Sequence, residues 1–237
     1  MPSQEDLRLV LFDIDGTLLS AGRVFREALK SALVATFGTA GDMANYEFSG
    51  RTDREIVRGL MRGAGLSDAV VDGRMAQALE RFTVELMPLL APDEIKLKPG
   101  VRELIERLSG DGAVTLGLLT GNLEACARAK LQPLDLNRYF PFGAYGSDHE
   151  DRSALPAIAI ERAYRATGRR FAGKRVVIVG DSIHDVRCGR HLGVRAVAVA
   201  SGVTTRERLA AESPDVLLGD LSDTRVALAA ILGDGSL

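Results

Sequence analysis

Apolar and polar positions divide this chain into two regimes. One is helical throughout. Val24, Phe25, Ala28, Leu29, Ala32, Leu33 and Phe37 recur at helical spacings up to Gly38, and further helical segments cover Asp53 to Gly63 and Asp68 to Met87. No strand pattern interrupts Ser20 to Lys98. The other regime alternates. Lys98-Pro99-Gly100 punctuates the chain before a helix from Val101 to Leu108. Apolar runs at Val114–Thr120, Phe142–Gly146, Arg175–Val179, Arg195–Ala200 and Val216–Leu218 then read as strands. Helices at Leu123–Leu131, Pro156–Ala166, Asp185–Leu192, Thr205–Glu212 and Asp223–Leu232 separate or follow them.

Near-continuous apolar strands separated by helices imply an α/β fold: a Rossmann-like parallel sheet with helices on both faces. The first apolar run, Leu9 to Phe12, has no partner of its own and must join that sheet. Residues 1–19 and 99–237 are then the core, and 20–98 an inserted all-helical cap over the strands' C-terminal edge. Ligands bind at that edge in open α/β sheets.

The 237 residues are 46% hydrophobic and 26% charged, with a formal net charge of −2. A soluble globular protein is expected, with nothing in the charge to suggest nucleic acid. No apolar run is long enough to span a membrane, and the N-terminus lacks a basic leader. Cys126 and Cys188 have no zinc-ligand spacing and read as buried thiols of a reducing compartment, so a cytoplasmic location is the simplest expectation, with a monomer expected and a dimer as the alternative.

The chemistry lies where strands end. Leu9-Val10-Leu11-Phe12 leads into Asp13-Ile14-Asp15-Gly16-Thr17-Leu18. Residues i and i+2 of a strand share a face, so the two carboxylates point the same way if extension continues. Two such charges repel by about 4 kcal/mol at ~4 Å and an effective dielectric of ~20. They need a cation, a shared proton or divergent side chains. Thr120-Gly121-Asn122 puts a hydroxyl and free amides at a strand-to-helix junction, although Thr120 alone would read as an N-cap. Gly180-Asp181-Ser182-Ile183-His184-Asp185 brings two more acids to the same edge. Four carboxylates offering only oxygen suit a hard cation such as Mg²⁺.

Together these segments resemble the haloacid dehalogenase-like hydrolase superfamily over essentially the whole chain. Asp13-x-Asp15-Gly16-Thr17-Leu18 is similar to its first motif, Thr120-Gly121-Asn122 to its second and Gly180-Asp181-x-x-x-Asp185 to its fourth. The resemblance implies that Asp13 is the nucleophile and forms an aspartyl-phosphate, with Asp15 as general acid and then base. It implies that Thr120, with the Gly121 and Asn122 amides, holds a phosphoryl oxygen. Asp181 and Asp185, the Asp13 carboxylate and the main-chain carbonyl of Asp15 would hold Mg²⁺.

The third motif, usually a Lys and sometimes an Arg, departs from the commoner pattern, since no Lys occurs between Lys130 and Lys174. Arg152 is expected in its place, because a site with four carboxylates needs a fixed cation besides the metal. In the cap, Ser49-Gly50-Arg51-Thr52-Asp53-Arg54-Glu55 resembles a substrate-facing loop: Gly50 for close approach, Arg51 or Thr52 for the leaving group. A turn followed by a helix N-cap at Thr52 or Asp53 is an equal reading. His184 falls near the site, and His149 lacks a metal-site partner. His191 belongs to packing or surface.

The resulting expectation is a Mg²⁺-dependent phosphatase of a small phosphorylated metabolite, with phosphoglycolate or a sugar phosphate as substrate. Asp15 and the metal ligands argue against carbon–halogen cleavage, and Asp15 against phosphonate cleavage. A sugar-phosphate mutase keeps Asp15, but its cap loop typically carries Arg where this chain has Asp53. A non-catalytic interaction protein predicts decay of the acids, and all are present.

Overall fold

The structure, a computed structural model, describes residues 6–21 and 23–233. β1 (Arg8–Phe12) is followed, after a tight turn, by β2 (Leu19–Ser20). Three helices come next: α1 (Val24–Phe37), α2 (Asp53–Gly63) and α3 (Asp68–Leu86). β3 (Lys96–Leu97) closes this block by pairing antiparallel with β2, and the Lys98 amide donates to the Leu18 carbonyl at 2.9 Å. This two-stranded ribbon ties the block's two connections together. It has no sequence pattern, because two residues per strand cannot show alternation.

After α4 (Val101–Gly110) the chain alternates: β4 (Val114–Leu119), α5 (Glu124–Leu131), β5 (Gly143–Ala144), α6 (Leu155–Thr167) and β6 (Val176–Gly180). α7 (Ile183–His191), β7 (Arg195–Val199), α8 (Arg206–Ala211), β8 (Val216–Leu218) and α9 (Thr224–Leu232) complete it. The sheet is six-stranded, in the order β5-β4-β1-β6-β7-β8, and every pairing is parallel. β1 lies between β4 and β6, so successive crossovers leave it in opposite directions. A crevice opens at the carboxyl end of such a strand.

The alternation of β1 divides the core. Val10 and Phe12 join the apolar cluster that runs from the sheet into α1, α2, α3, α4, α5 and α9, whereas Leu9 and Leu11 join the cluster under α6. All four are fully buried. Each such side chain contributes roughly 1.5–3 kcal/mol relative to exposure. β1 is therefore held from both faces, and its end is a rigid platform.

β5 is shorter than the predicted Phe142–Gly146 strand, because the chain leaves the ladder early. The Tyr145 amide donates to Asp148 Oδ2 (2.9 Å) and the Gly146 amide to the Asn122 carbonyl (2.8 Å). Cys126 and Cys188 are both buried free thiols. Among the described residues no helix is long and apolar enough to cross a membrane.

Candidate active site

β1 stops at Phe12, and the next amide, Asp13, extends its pairing to the Val179 carbonyl at 3.0 Å. Beyond it Ile14–Leu19 folds back as a turn, with Gly16 at φ +91°. A Cβ on Gly16 would sit 2.4 Å from Asp181 Oδ2, and one on Gly202 only 1.6 Å from the same atom. Two glycines thus form a cradle for the Asp181 carboxylate. Asp181 is buried and accepts the Thr17 hydroxyl at 3.4 Å.

Asp13, Asp181 and Asp185 bring carboxylate oxygens within 4.8 Å of one another, all buried. Burial pushes the Asp13 carboxyl up to about 7 even though Arg152 opposes the shift. It also raises Asp181 well above the usual carboxylate range, helped by the neighbouring Asp13 and Asp185. Asp185 is already engaged on both oxygens. Oδ2 receives the Ser182 amide (3.1 Å) and hydroxyl (2.6 Å) in a capping box that starts α7, and Oδ1 receives Arg152. A Cβ on Gly180 would overlap it.

Arg152 is the cation of this cluster. It lies in a single 3₁₀ turn, Arg152–Ala154, started by the Asp151 side chain on the Ser153 amide. Its Nη2 lies 3.0 Å from Asp13 Oδ1 and 2.5 Å from Asp185 Oδ1, and the side chain is buried. Three carboxylates face one guanidinium.

Asp15 departs from the extended geometry expected of it. The turn has begun, and its side chain is 42% exposed, against 7% for Asp13. A second cation holds it: Lys130 Nζ lies 2.9 Å from Asp15 Oδ1 and 2.7 Å from Oδ2. The Asn122 side chain is spent in the same network. Its amide nitrogen donates to Asp15 Oδ2 (2.7 Å) and Thr120 Oγ1 (2.8 Å), and its Oδ1 accepts Lys130 at 2.7 Å. Asn122 therefore braces the site through its side chain, while the residue also lines the cavity. Thr120 Oγ1 accepts in both contacts with Asn122 and keeps its own O–H to donate.

The loop before α2 meets the core at van der Waals limits. Gly50, at φ +72°, abuts Ser182 and His184, where a Cβ would lie 2.3 Å from Ser182 Oγ. A Cβ on Gly121 would likewise lie 2.0 Å from the Arg51 carbonyl oxygen. Arg51 lines the cavity, but its charge is paired with Glu55, and its Nε donates to the Glu47 carbonyl at 2.9 Å. Thr52 does not face the cavity. It is fully buried as the N-cap of α2, accepting the Glu55 amide (3.1 Å) and donating to the Glu150 carbonyl (2.6 Å). Of its two equal readings, leaving-group contact and N-cap, the structure shows the N-cap: the hydroxyl is consumed in seating the helix.

Asp53, the first residue of α2, is buried against the second motif. Its amide donates to the Gly121 carbonyl and its carboxylate accepts the Leu123 amide, both at 2.8 Å. Burial pushes its carboxyl up to about 7.

A cavity of about 550 Å³ joins these parts. Asp13, Asp15, Thr120, Gly121, Asn122, Arg152 and Asp181 line it from the sheet edge, and Phe25, Arg26, Tyr46, Phe48, Gly50 and Arg51 from the helical block. A larger cleft of about 780 Å³ lies on the other side of Arg152, lined by His149, His184, His191, Arg187 and Arg190. Neither Asp13 nor Asp15 lines it, so the smaller cavity is the candidate active site. Burial, then the nearby Arg152, lowers the His184 pKa, and His149 Nδ1 is held by the Asp151 amide.

The profile of the haloacid dehalogenase-like hydrolase family matches residues 10–199. The chain belongs to that family. It is 29% identical over 218 residues to phosphoglycolate phosphatase 1 of Pseudomonas aeruginosa, covering 91% of this chain and 78% of that one. It is also 29% identical over 232 residues to the phosphoglycolate phosphatase of Synechococcus elongatus, with 95% and 99% covered. Its fold resembles the crystal structure of CbbY from Rhodobacter sphaeroides in complex with phosphate, at a TM-score of 0.69 and 24% identity, covering 92% and 96% of the two chains.

In this hydrolase Lys130 belongs to none of the sequence motifs. Its signal is positional: it shares the inner face of α5 with Cys126 and Ala127, at i+4 and i+3, and both of those are fully buried. A lysine on the buried stripe of the helix that follows the second motif must meet an acid, and Asp15 is that acid.

Proposed function

We propose that this hydrolase is a Mg²⁺-dependent phosphatase of small phosphomonoesters, working through an aspartyl-phosphate on Asp13, with the helical block 20–98 as its cap. The observation carrying the reading is that Asp13 and Asp15 open into one cavity, each with its own buried cation. A nucleophile must stay unhydrated and fixed, and an acid–base group must reach a leaving oxygen and water.

Asp13 attacks phosphorus and the bond to the leaving oxygen breaks. The electron pair goes to that oxygen, which takes a proton from Asp15. Asp15, now a carboxylate, takes a proton from the water that attacks the aspartyl-phosphate, releasing phosphate and the Asp13 carboxylate. The Thr120 hydroxyl and the Gly121 amide bind phosphoryl oxygens, and Arg152 counters the charge of Asp13. Stabilising charge on the transferred group is the main demand in such chemistry.

The donor set fits Mg²⁺. Three buried carboxylates exceed one guanidinium by two charges, all donors are oxygen, and Gly16 and Gly202 leave room for Asp181. Asp13, Asp181, Asp185 and the Asp15 carbonyl would hold the ion, with Asp185 steadied by Ser182 and Arg152. Bound there, it supplies positive charge to the phosphoryl oxygens.

Phosphoglycolate and sugar phosphates are the substrates to test first. The relatives' names support the former, and a cavity of about 550 Å³ also admits the latter. The deciding experiment is phosphate release across a panel of such esters, with Mg²⁺ and with chelator. Metal-dependent turnover that disappears in Asp13→Asn supports the proposal. Turnover of no ester by folded, Mg²⁺-loaded protein overturns it.

A further inference from the structure

We infer that Lys130 is the positioning residue for the acid–base group Asp15, holding its carboxylate in the geometry that proton transfer to the leaving group requires. The inference rests on the phosphatase reading and adds a residue to it.

An ammonium has three donors and no acceptor. Lys130 uses all three, on Asp15 Oδ1 at 2.9 Å, Asp15 Oδ2 at 2.7 Å and Asn122 Oδ1 at 2.7 Å, while only 1% of its side chain is exposed. The Asn122 amide nitrogen adds a further bond to Asp15 Oδ2, at 2.7 Å. Asp15 therefore cannot rotate about its side-chain bonds without breaking several charge-assisted contacts at once. The anchor is equally fixed. Cys126, Ala127 and Leu131 around Lys130 are fully buried, and α5 follows directly on the Thr120-Gly121-Asn122 junction.

Asp15 needs such a bracket because the turn leaves its side chain 42% exposed. An unheld, hydrated carboxylate samples several rotamers. A proton donor must lie within hydrogen-bond reach of the leaving oxygen, and a misplacement of ~1 Å costs on the order of 10²-fold in rate. Arg152 cannot serve here, because its contacts are Asp13 and Asp185. The phosphoryl end of the site is thus ordered by one buried cation and the proton-transfer end by another.

The test exploits leaving groups. Nitrophenolate departs without a proton, whereas an alkoxide needs one. Single-turnover release of the leaving group, with Mg²⁺, is measured for p-nitrophenyl phosphate and for the best alkyl phosphate of the panel. Wild type is compared with Lys130→Met, Asp15→Asn and the double variant.

The expected result is selective. Lys130→Met slows alkyl release on the order of 10²-fold and changes nitrophenolate release by no more than about 3-fold, the span of context scatter for a single contact. The pattern matches Asp15→Asn, and the double variant is no slower than Asp15→Asn alone. Lys130→Gln, which keeps a donor, gives the same selectivity should the Met variant not fold. Equal losses on both esters overturn the inference and reveal a structural role, and so does no loss on either. Wild-type protein without metal-dependent release on either ester overturns the phosphatase reading itself, whatever the variants do.

Discussion

The two carboxylates of the first motif are two residues apart and live in different surroundings. Asp13 is 7% exposed in its side chain and sits among Asp181, Asp185 and Arg152, and burial raises its pKa to about 7. Asp15 is 42% exposed, lines the same cavity and is held by Lys130 and Asn122. The difference fits the division of labour proposed for them. A nucleophile gains from losing its water, whereas an acid–base group must meet water and a leaving group in turn. A buried cation stands behind each, but the first balances a charge cluster and the second fixes an orientation.

Removing the carboxylate proposed as nucleophile has the largest expected effect. Asp13→Asn is expected to lower phosphate release at least on the order of 10³-fold, since removing a member of a catalytic unit costs this much or more. Steady-state phosphate assays with Mg²⁺ check it.

Arg152→Met separates charge balance from orientation. It leaves three buried carboxylates uncompensated, an effect that costs about 3–5 kcal/mol when one partner of a buried pair is lost. The melting temperature falls, and Mg²⁺ restores more of it than in wild type because the cation replaces part of the missing charge. Calorimetry with and without the metal reads both.

Gly121→Ala strains the seam between the helical block and the core. Its Cβ would lie 2.0 Å from the Arg51 carbonyl, and neither neighbour is the end of a flexible side chain. Overpacking of this kind costs about 1–3 kcal/mol. Urea unfolding and KM measure it, with KM rising as the block seats less well.

Asp53 gives that seam a pH dependence. Its carboxyl is raised to about 7 where it is buried against Leu123, and returns to its ordinary value near 3.8 when the block lifts. The closed form therefore binds the proton more tightly. Closure weakens as pH climbs from about 4 to about 7 and levels off above. Hydrogen exchange at the Leu123 amide should follow that slope in wild type and lose it in Asp53→Asn.

The smallest effect belongs to Thr52. Thr52→Val removes a cap worth about 0.5–2 kcal/mol and leaves kcat within about 2-fold, because the hydroxyl faces Glu150 rather than the cavity. A melt beside a turnover assay distinguishes this from a ligand contact.

Most of the sheet, the long helices and three motif segments were legible from local pattern, since alternation and helical spacing report burial directly. Arg152 is what the resemblance implies for the third motif, supported by the excess of carboxylates, and it lies on Asp13 and Asp185. Thr52 carries two equal readings in the sequence because a hydroxyl at a loop reads the same whether it faces a ligand or a neighbouring backbone, and packing selects the N-cap. The β2–β3 ribbon was invisible because its partners are separated by the whole helical block.

By itself, the sequence determined which residues could carry the chemistry: two acids at the end of an apolar strand, a Thr-Gly-Asn junction and a second acidic turn. Local composition and spacing suffice for that, because strands and helix starts are short-range structures. Only the tertiary structure decided which cation serves which acid. Lys130 lies 115 residues from Asp15 and Arg152 lies 139 from Asp13, and no local pattern specifies pairings over such distances. They follow from how α5 and the turn before α6 pack on the sheet edge, where desolvation obliges each buried cation to find its carboxylate.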